Sequence, residues 1–204
     1  MHCILVTGMP AAGKSTIAEA IAEQLKLPVI SKDRIKEYLF DYVGFQSREE
    51  KVNLGIASME IMYYVAEQLM KAGQPFILEN NFESSECGIK TLLAKYQYPA
   101  LTITLTGDYK VIYQRFLERD LSPERHRGHV VNDFYPEKRR RSTEKLRAAS
   151  ISYETFVHSI EKRGFDVFCV DGRRIKVDTT DFSKINMEKI FLQIAEWKED
   201  VLHD

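Results

Sequence analysis

The feature that most narrows what this chain can fold into is a nine-residue run near its start, Gly8-Met9-Pro10-Ala11-Ala12-Gly13-Lys14-Ser15-Thr16. It fits G-x-x-x-x-G-K-[ST], follows the apolar run Cys3 to Thr7, and opens a segment of helical periodicity. The glycines permit backbone angles and a closeness of approach that a Cβ would block, so successive N–H groups can turn inward onto phosphate oxygens. The helix that follows adds its dipole and unpaired donors. Lys14 puts a compact positive charge at the β and γ phosphates, and the Ser15 hydroxyl can complete a magnesium shell. An accidental glycine-rich turn would match in roughly one chain in a hundred of this length, and more rarely between a strand and a helix. Residues 8–16 therefore read as a phosphate-binding loop.

The rest of the chain alternates in the same way. Short apolar runs at Cys3 to Thr7, Pro28 to Ile30, Phe76 to Leu78 and Ala100 to Leu105 read as buried strands, with a further one at Phe165 to Val170 or Ile175 to Val177. Asp171-Gly172 is a turn signal, so Val167 to Val177 fits either a hairpin or a strand preceded by a loop. Helical stripes fall at Ile17, Ile21 and Leu25, at Leu54, Ala57, Ile61, Val65 and Leu69, at Ile89, Leu92 and Tyr96, at Val111, Arg115 and Arg119, and at Met187, Ile190, Ile194, Trp197 and Val201. Strand–helix alternation implies an α/β fold, a parallel sheet with helices on both faces, whose ligands bind beyond the carboxyl ends of the strands. With no repeat and no linker-like stretch, residues 1–204 read as one domain.

Composition removes several classes of function. Ile, Leu, Val and Phe make up 57 of 204 residues, well above the roughly 20% below which a chain fails to collapse. The formal net charge is −1, so a nucleic-acid or membrane role would have to be local. No apolar run is long enough to span a bilayer, and Met1 to Val6 breaks at Thr7-Gly8 before a signal segment could form, so the expected location is the cytoplasm. Cys3, Cys87 and Cys169 are odd in number and far apart, with neither a disulfide framework nor zinc spacing.

The phosphate loop and the strand exits that follow it resemble the small P-loop kinases, the group that includes polynucleotide kinase, zeta toxins and chloramphenicol phosphotransferase. The resemblance implies a P-loop NTPase fold with five parallel strands in order 2-3-1-4-5, an Arg-bearing lid near residues 115–147, and Mg²⁺-assisted phosphoryl transfer from ATP or GTP. In such kinases an Asp at the position of Asp33, after Val29-Ile30-Ser31-Lys32, contacts the acceptor hydroxyl and acts as general base. A carboxylate suits that task, because the acceptor proton turns acidic only as the bond to phosphorus forms. An N-cap on the following helix is the plainer role for Asp33. Glu79, at the end of Phe76-Ile77-Leu78, stands where relatives hold magnesium, many of them with Asp; Asn80 and Asn81 are candidates for substrate contacts.

The lid would carry Arg119 and Arg125 over the nucleotide, whereas Arg127 stands where a small residue or Pro is expected. Lys110 to Arg147 has a local balance of +5, and within it Lys138-Arg139-Arg140-Arg141 reads as a solvated face. His126 and His129 have metal-like spacing without a third ligand, so a turn-stabilising or substrate role is the expectation. Asp178-Thr179-Thr180 resembles the loop near the base in this group, although a cap on the C-terminal helix explains it equally well.

The expected reaction is transfer of the γ-phosphoryl group to a hydroxyl of a small molecule. One alternative is a nucleic-acid 5′-hydroxyl kinase, against which Phe134-Tyr135 is the only adjacent aromatic pair in the basic segment. The other is a nucleotide-dependent switch, against which Asp41-Tyr42-Val43-Gly44 lies at a helix end and no N-K-x-D run occurs. Acceptor identity and oligomeric state have no readable code.

Overall fold

The structure, a computed structural model, describes residues 1–84, 87–137, 141–170 and 173–203. Strand β1 (Cys3–Gly8) is buried along its whole length and pairs in parallel with β3 (Phe76–Glu79) on one side and β4 (Ala100–Thr106) on the other. Its apolar content on both faces is what a central strand between two helical layers requires. β2 (Val29–Ser31) lies outside β3 and β5 (Arg174–Asp178) outside β4, giving the order β2-β3-β1-β4-β5, all parallel.

Alternation along each strand divides the core. Ile4 and Val6 face a cluster with Ile17, Ile21, Ile103, Phe156, Ile194 and Trp197, which come from α1 (Lys14–Leu25), α8 (Tyr153–Arg163), α9 (Met187–His203) and β4. Cys3 and Leu5 face the other cluster, with Met62, Ala66, Met70, Ile89 and Leu93 from α3 (Arg48–Lys71) and α4 (Gly88–Lys95). A third, smaller cluster of Phe40, Phe45 and Val131 joins α2 (Lys32–Tyr42) to α6 (Arg127–Val130). α5 (Tyr109–Leu121) and the short α7 (Thr143–Ala148) flank this region.

Three expectations change. The core face of α3 is Ser58, Met62, Ala66 and Met70, one position along from the predicted stripe, and Ile61 is 39% exposed. Small and unbranched residues take the closest approach to the sheet, and the bulkier ones fall on its flanks. Between the two candidates for the last strand, Ile175 to Val177 is chosen. Phe165 and Phe168 are buried without strand pairing, so a loop precedes β5, and the Asp171-Gly172 turn signal lies outside the described residues. Asn186 bonds to the Lys189 N–H at the start of α9, whereas Asp178 turns onto the Thr180 N–H, so Asp178 is no cap for the C-terminal helix. Among the described residues no helix is long and apolar enough to cross a membrane.

Candidate active site

β1, β2 and β3 all end at one cavity of about 460 Å³. The backbone leaves β1 at Gly8 with φ +128°, and a Cβ there would lie 2.0 Å from the Leu105 carbonyl oxygen of β4. The Met9 N–H donates to that same oxygen at 3.2 Å. Met9 and Ala12 turn into the core, while Pro10, Ala11, Gly13, Lys14, Ser15 and Thr16 line the cavity. Ala11 holds φ +62° and Gly13 φ +82°. Gly13 caps α1 without any side-chain bond, which leaves first-turn N–H groups for an anion. Lys14 is buried, and its Nζ donates to the Met9 carbonyl at 2.8 Å. Burial pushes its pKa down to about 8, with Arg119 and Arg125 pushing the same way and Glu79 and Asp33 opposing.

Two carboxylates face the loop. Glu79, 5% exposed, accepts a 2.5 Å hydrogen bond from the Ser31 hydroxyl. Burial raises its pKa despite the Lys14 charge and the Ser31 bond. Asp33 lines the same cavity, one residue into α2. Burial works to raise its pKa, but the charges of His129, Arg125, Lys32 and Lys14 hold it below the usual carboxylate value. The capping role falls to Ser31, whose Oγ accepts from the Arg34 N–H at 3.5 Å, so Asp33 is not the cap of α2. Asn81 lines the cavity; Asn80 is buried and its Nδ2 meets the Met59 sulfur at 3.6 Å.

Arginines close the opposite wall. Arg119 and Arg125 both line the cavity and share Asp120, with Arg119 Nη2 at 2.9 Å and Arg125 Nε at 3.7 Å from its Oδ1. Arg125 Nε is buried without a hydrogen-bond partner in the protein. Arg127 turns away onto Glu137 at 2.9 Å. Arg115 also lines the cavity. It donates to the Thr179 and Thr180 carbonyls and lies 4.6 Å from the centroid of the Phe182 ring. That ring packs against Gly13, where a Cβ would come within 2.2 Å of Phe182 Cζ.

Residues 4–144 match the protein family described as "AAA domain", a stretch that includes the loop, both carboxylates and all three arginines. The chain belongs to this family. A phosphate loop after the central strand of a 2-3-1-4-5 parallel sheet makes this AAA domain an α/β P-loop NTPase fold. Among solved structures it is similar to a "putative kinase" from Chloroflexus aurantiacus, at 25% identity and TM-score 0.72, covering 98% of this chain and 96% of that one. A sugar kinase from a Janibacter species (14%, TM-score 0.54, 98% and 95% covered) shares the fold. So does the shikimate kinase of Bacteroides thetaiotaomicron (15%, TM-score 0.54, 97% and 98% covered). No curated protein is recognisably similar in sequence.

Several site residues of the AAA domain carry no sequence signal of their own. Glu37 lines the cavity one turn beyond Asp33, held by Arg34 at 3.1 Å and by His129 Nε2 at 3.1 Å. His126 caps α6, its Nδ1 accepting from the Gly128 N–H, and its Nε2 meets Asp41 at 3.0 Å. The turn-stabilising role thus belongs to His126, and among the described residues no group of His, Cys, Asp and Glu has the makings of a metal cage. Lys51 of α3, 5% exposed, donates to the His129 and Val131 carbonyls and to Asn132, tying the segment around α6 to the body. Of the basic run at 138–141 only Arg141 lies within the described residues, paired with Asp133 at 2.5 Å. An i, i+4 spacing from Arg119 was the one available hint of Arg115; Phe182 offered none.

Proposed function

We propose that this AAA domain is a kinase that moves the γ-phosphoryl group of ATP to a hydroxyl of a small molecule, with Mg²⁺ assisting. The observation that carries the reading is the meeting, in one cavity, of the phosphate loop, an ionised Asp33 and two arginines with little to neutralise them. The triphosphate lies along Gly8 to Thr16, with the Lys14 ammonium exchanging its loop carbonyls for phosphate oxygens. The nucleoside end lies toward Arg115 and Phe182, beside Thr179 and Thr180.

Asp33 holds the acceptor hydroxyl. As the acceptor oxygen bonds to the γ-phosphorus and the bond to the ADP oxygen breaks, the hydroxyl proton passes to the Asp33 carboxylate. A depressed pKa keeps that carboxylate charged beforehand, so it orients the nucleophile and takes the proton late. Arg119 and Arg125 stabilise charge on the transferring group.

Glu79 and Ser15 are the residues suited to hold magnesium. Glu79 is a buried carboxylate whose charge the protein leaves poorly matched, and Mg²⁺ characteristically takes one or two protein oxygens together with phosphates and water. When bound, the ion offsets negative charge on the phosphates. The fold shared with proteins named for a sugar and for shikimate supports a small hydroxylated acceptor.

The test is Asp33→Asn, which keeps size and leaves the Ser31 cap intact. Transfer to the acceptor should fall on the order of a hundredfold or more, with Mg·ATP affinity and melting temperature nearly unchanged. Full turnover in this variant would refute the assignment.

A further inference from the structure

The cavity wall formed by α2, α3 and the α6 segment holds more positive charge than a triphosphate uses. Lys36 lies one turn along α2 from Asp33, with its Nζ 5.3 Å from the Phe40 ring centroid. Gly55 of α3 leaves it room: a Cβ there would come within 3.3 Å of Nζ. Among the described residues no carboxylate pairs with Lys36. Burial lowers its pKa to about 8, and of the surrounding charges Lys32, Arg48 and Arg125 push it further down while only Asp33 opposes.

Its cationic neighbours are met by neutral groups. Arg48 donates to the Asn132 side-chain oxygen at 2.7 Å, and Lys51 to that oxygen and two carbonyls. Arg125 has only a 3.7 Å contact to Asp120, whose nearer partner is Arg119. Glu37 is occupied by Arg34 and His129. Partly buried cations without counter-charge are costly, and a cavity wall that keeps them is suited to a ligand that supplies the missing anion.

We propose that the acceptor carries an anionic oxyacid group, a carboxylate or a phosphate, which Lys36 receives while the acceptor hydroxyl sits at Asp33. Residues three apart on a helix have Cβ atoms about 5–6 Å apart. The anion and the reacting hydroxyl are therefore separated by only a few bonds, as in a hydroxy acid or a sugar phosphate. This deepens the kinase reading and rests on it.

The experiment uses the full chain saturated with magnesium and a non-hydrolysable ATP analogue, so that the phosphate loop is filled. Inorganic phosphate, gluconate and glucose are then titrated by calorimetry. We expect saturable binding of at least one anion and none of glucose over the same range. Lys36→Met should weaken the anion about tenfold or more, and Lys36→Arg should restore most of it. Phosphate alone points to a phosphate-bearing acceptor, gluconate alone to a carboxylate.

Lys36→Met should also raise the melting temperature of the free protein, because it removes an unmatched charge while keeping the stem. If the protein binds the nucleotide analogue but neither anion, or if anion binding survives Lys36→Met, the anionic acceptor is wrong and the kinase reading stands. If the analogue itself does not bind, the kinase reading falls and takes this one with it.

Discussion

In the free protein the Lys14 ammonium bonds to the carbonyl of its own loop at Met9, and the pKa near 8 sets when it stops being an ammonium. The unfolded chain holds that proton more tightly, with a value near 10.5, so the burial destabilises the free protein at low pH. The cost shrinks as pH rises between about 8 and 10.5. Nucleotide binding has the opposite slope, since phosphate oxygens select the charged form. Mg·ATP affinity should be flat from about pH 7 to 8 and then fall by up to about tenfold per pH unit, with proton uptake measurable by calorimetry in buffers of different ionisation enthalpy. Lys14→Arg, which does not deprotonate, should flatten the profile even if it binds more weakly. The sequence makes Lys14, Asp33, Glu79, Arg119 and Arg125 legible because each sits beside a strand exit or on a patterned helix. Phe182 and Glu37 stay hidden, because their places depend on the space over Gly13 and on where His129 arrives from the far side of the lid.

At the scale of elements, the docking of α6 on α2 is the contact least visible in sequence and most exposed to a small change. A Cβ on Gly128 would lie 2.3 Å from Phe40 Cδ2, and Phe40 is fully buried. Gly128→Ala should therefore destabilise by about 1–3 kcal/mol and loosen the segment that carries Arg125 and His129. Hydrogen exchange would show this as faster exchange over residues 119–131 without nucleotide, with partial recovery on adding Mg·ATP. Unchanged exchange in that window would mean that Phe40 yields without moving α6. The missed stripe on α3 has a related cause. Periodicity finds an apolar face, yet which line along it touches the sheet depends on side-chain size, and Ser58 and Ala66 win over Ile61 and Val65 by being small.

Taken whole, the molecule separates its charges: +5 over residues 110–147 in a chain whose net charge is −1. Much of the basic excess is committed inside the fold, Arg115 to backbone carbonyls, Arg127 to Glu137 and Arg141 to Asp133. Tyr135 is likewise engaged, with Asp41 and Phe45, and Phe134 lies beneath Arg141. A groove that tracks a polynucleotide needs free cations and free rings. Oligonucleotides should accordingly show no binding at about 150 mM salt and no 5′-end labelling from γ-labelled ATP; efficient labelling would favour a nucleic-acid acceptor instead. The sheet order was readable because short apolar runs and helices alternate over the entire chain, whereas β5 was ambiguous because its neighbour at Phe165 to Val170 is equally apolar. The Leu105 carbonyl that receives the Met9 N–H also stands just before α5, so the phosphate loop and the helix bearing Arg115 and Arg119 hang from one strand end. Arg125 lies past the end of α5, on the far side of Ser122 and Pro123. Affinity and speed are thereby divided along the chain: Arg119→Ala should act mainly on KM for ATP, and Arg125→Ala mainly on kcat.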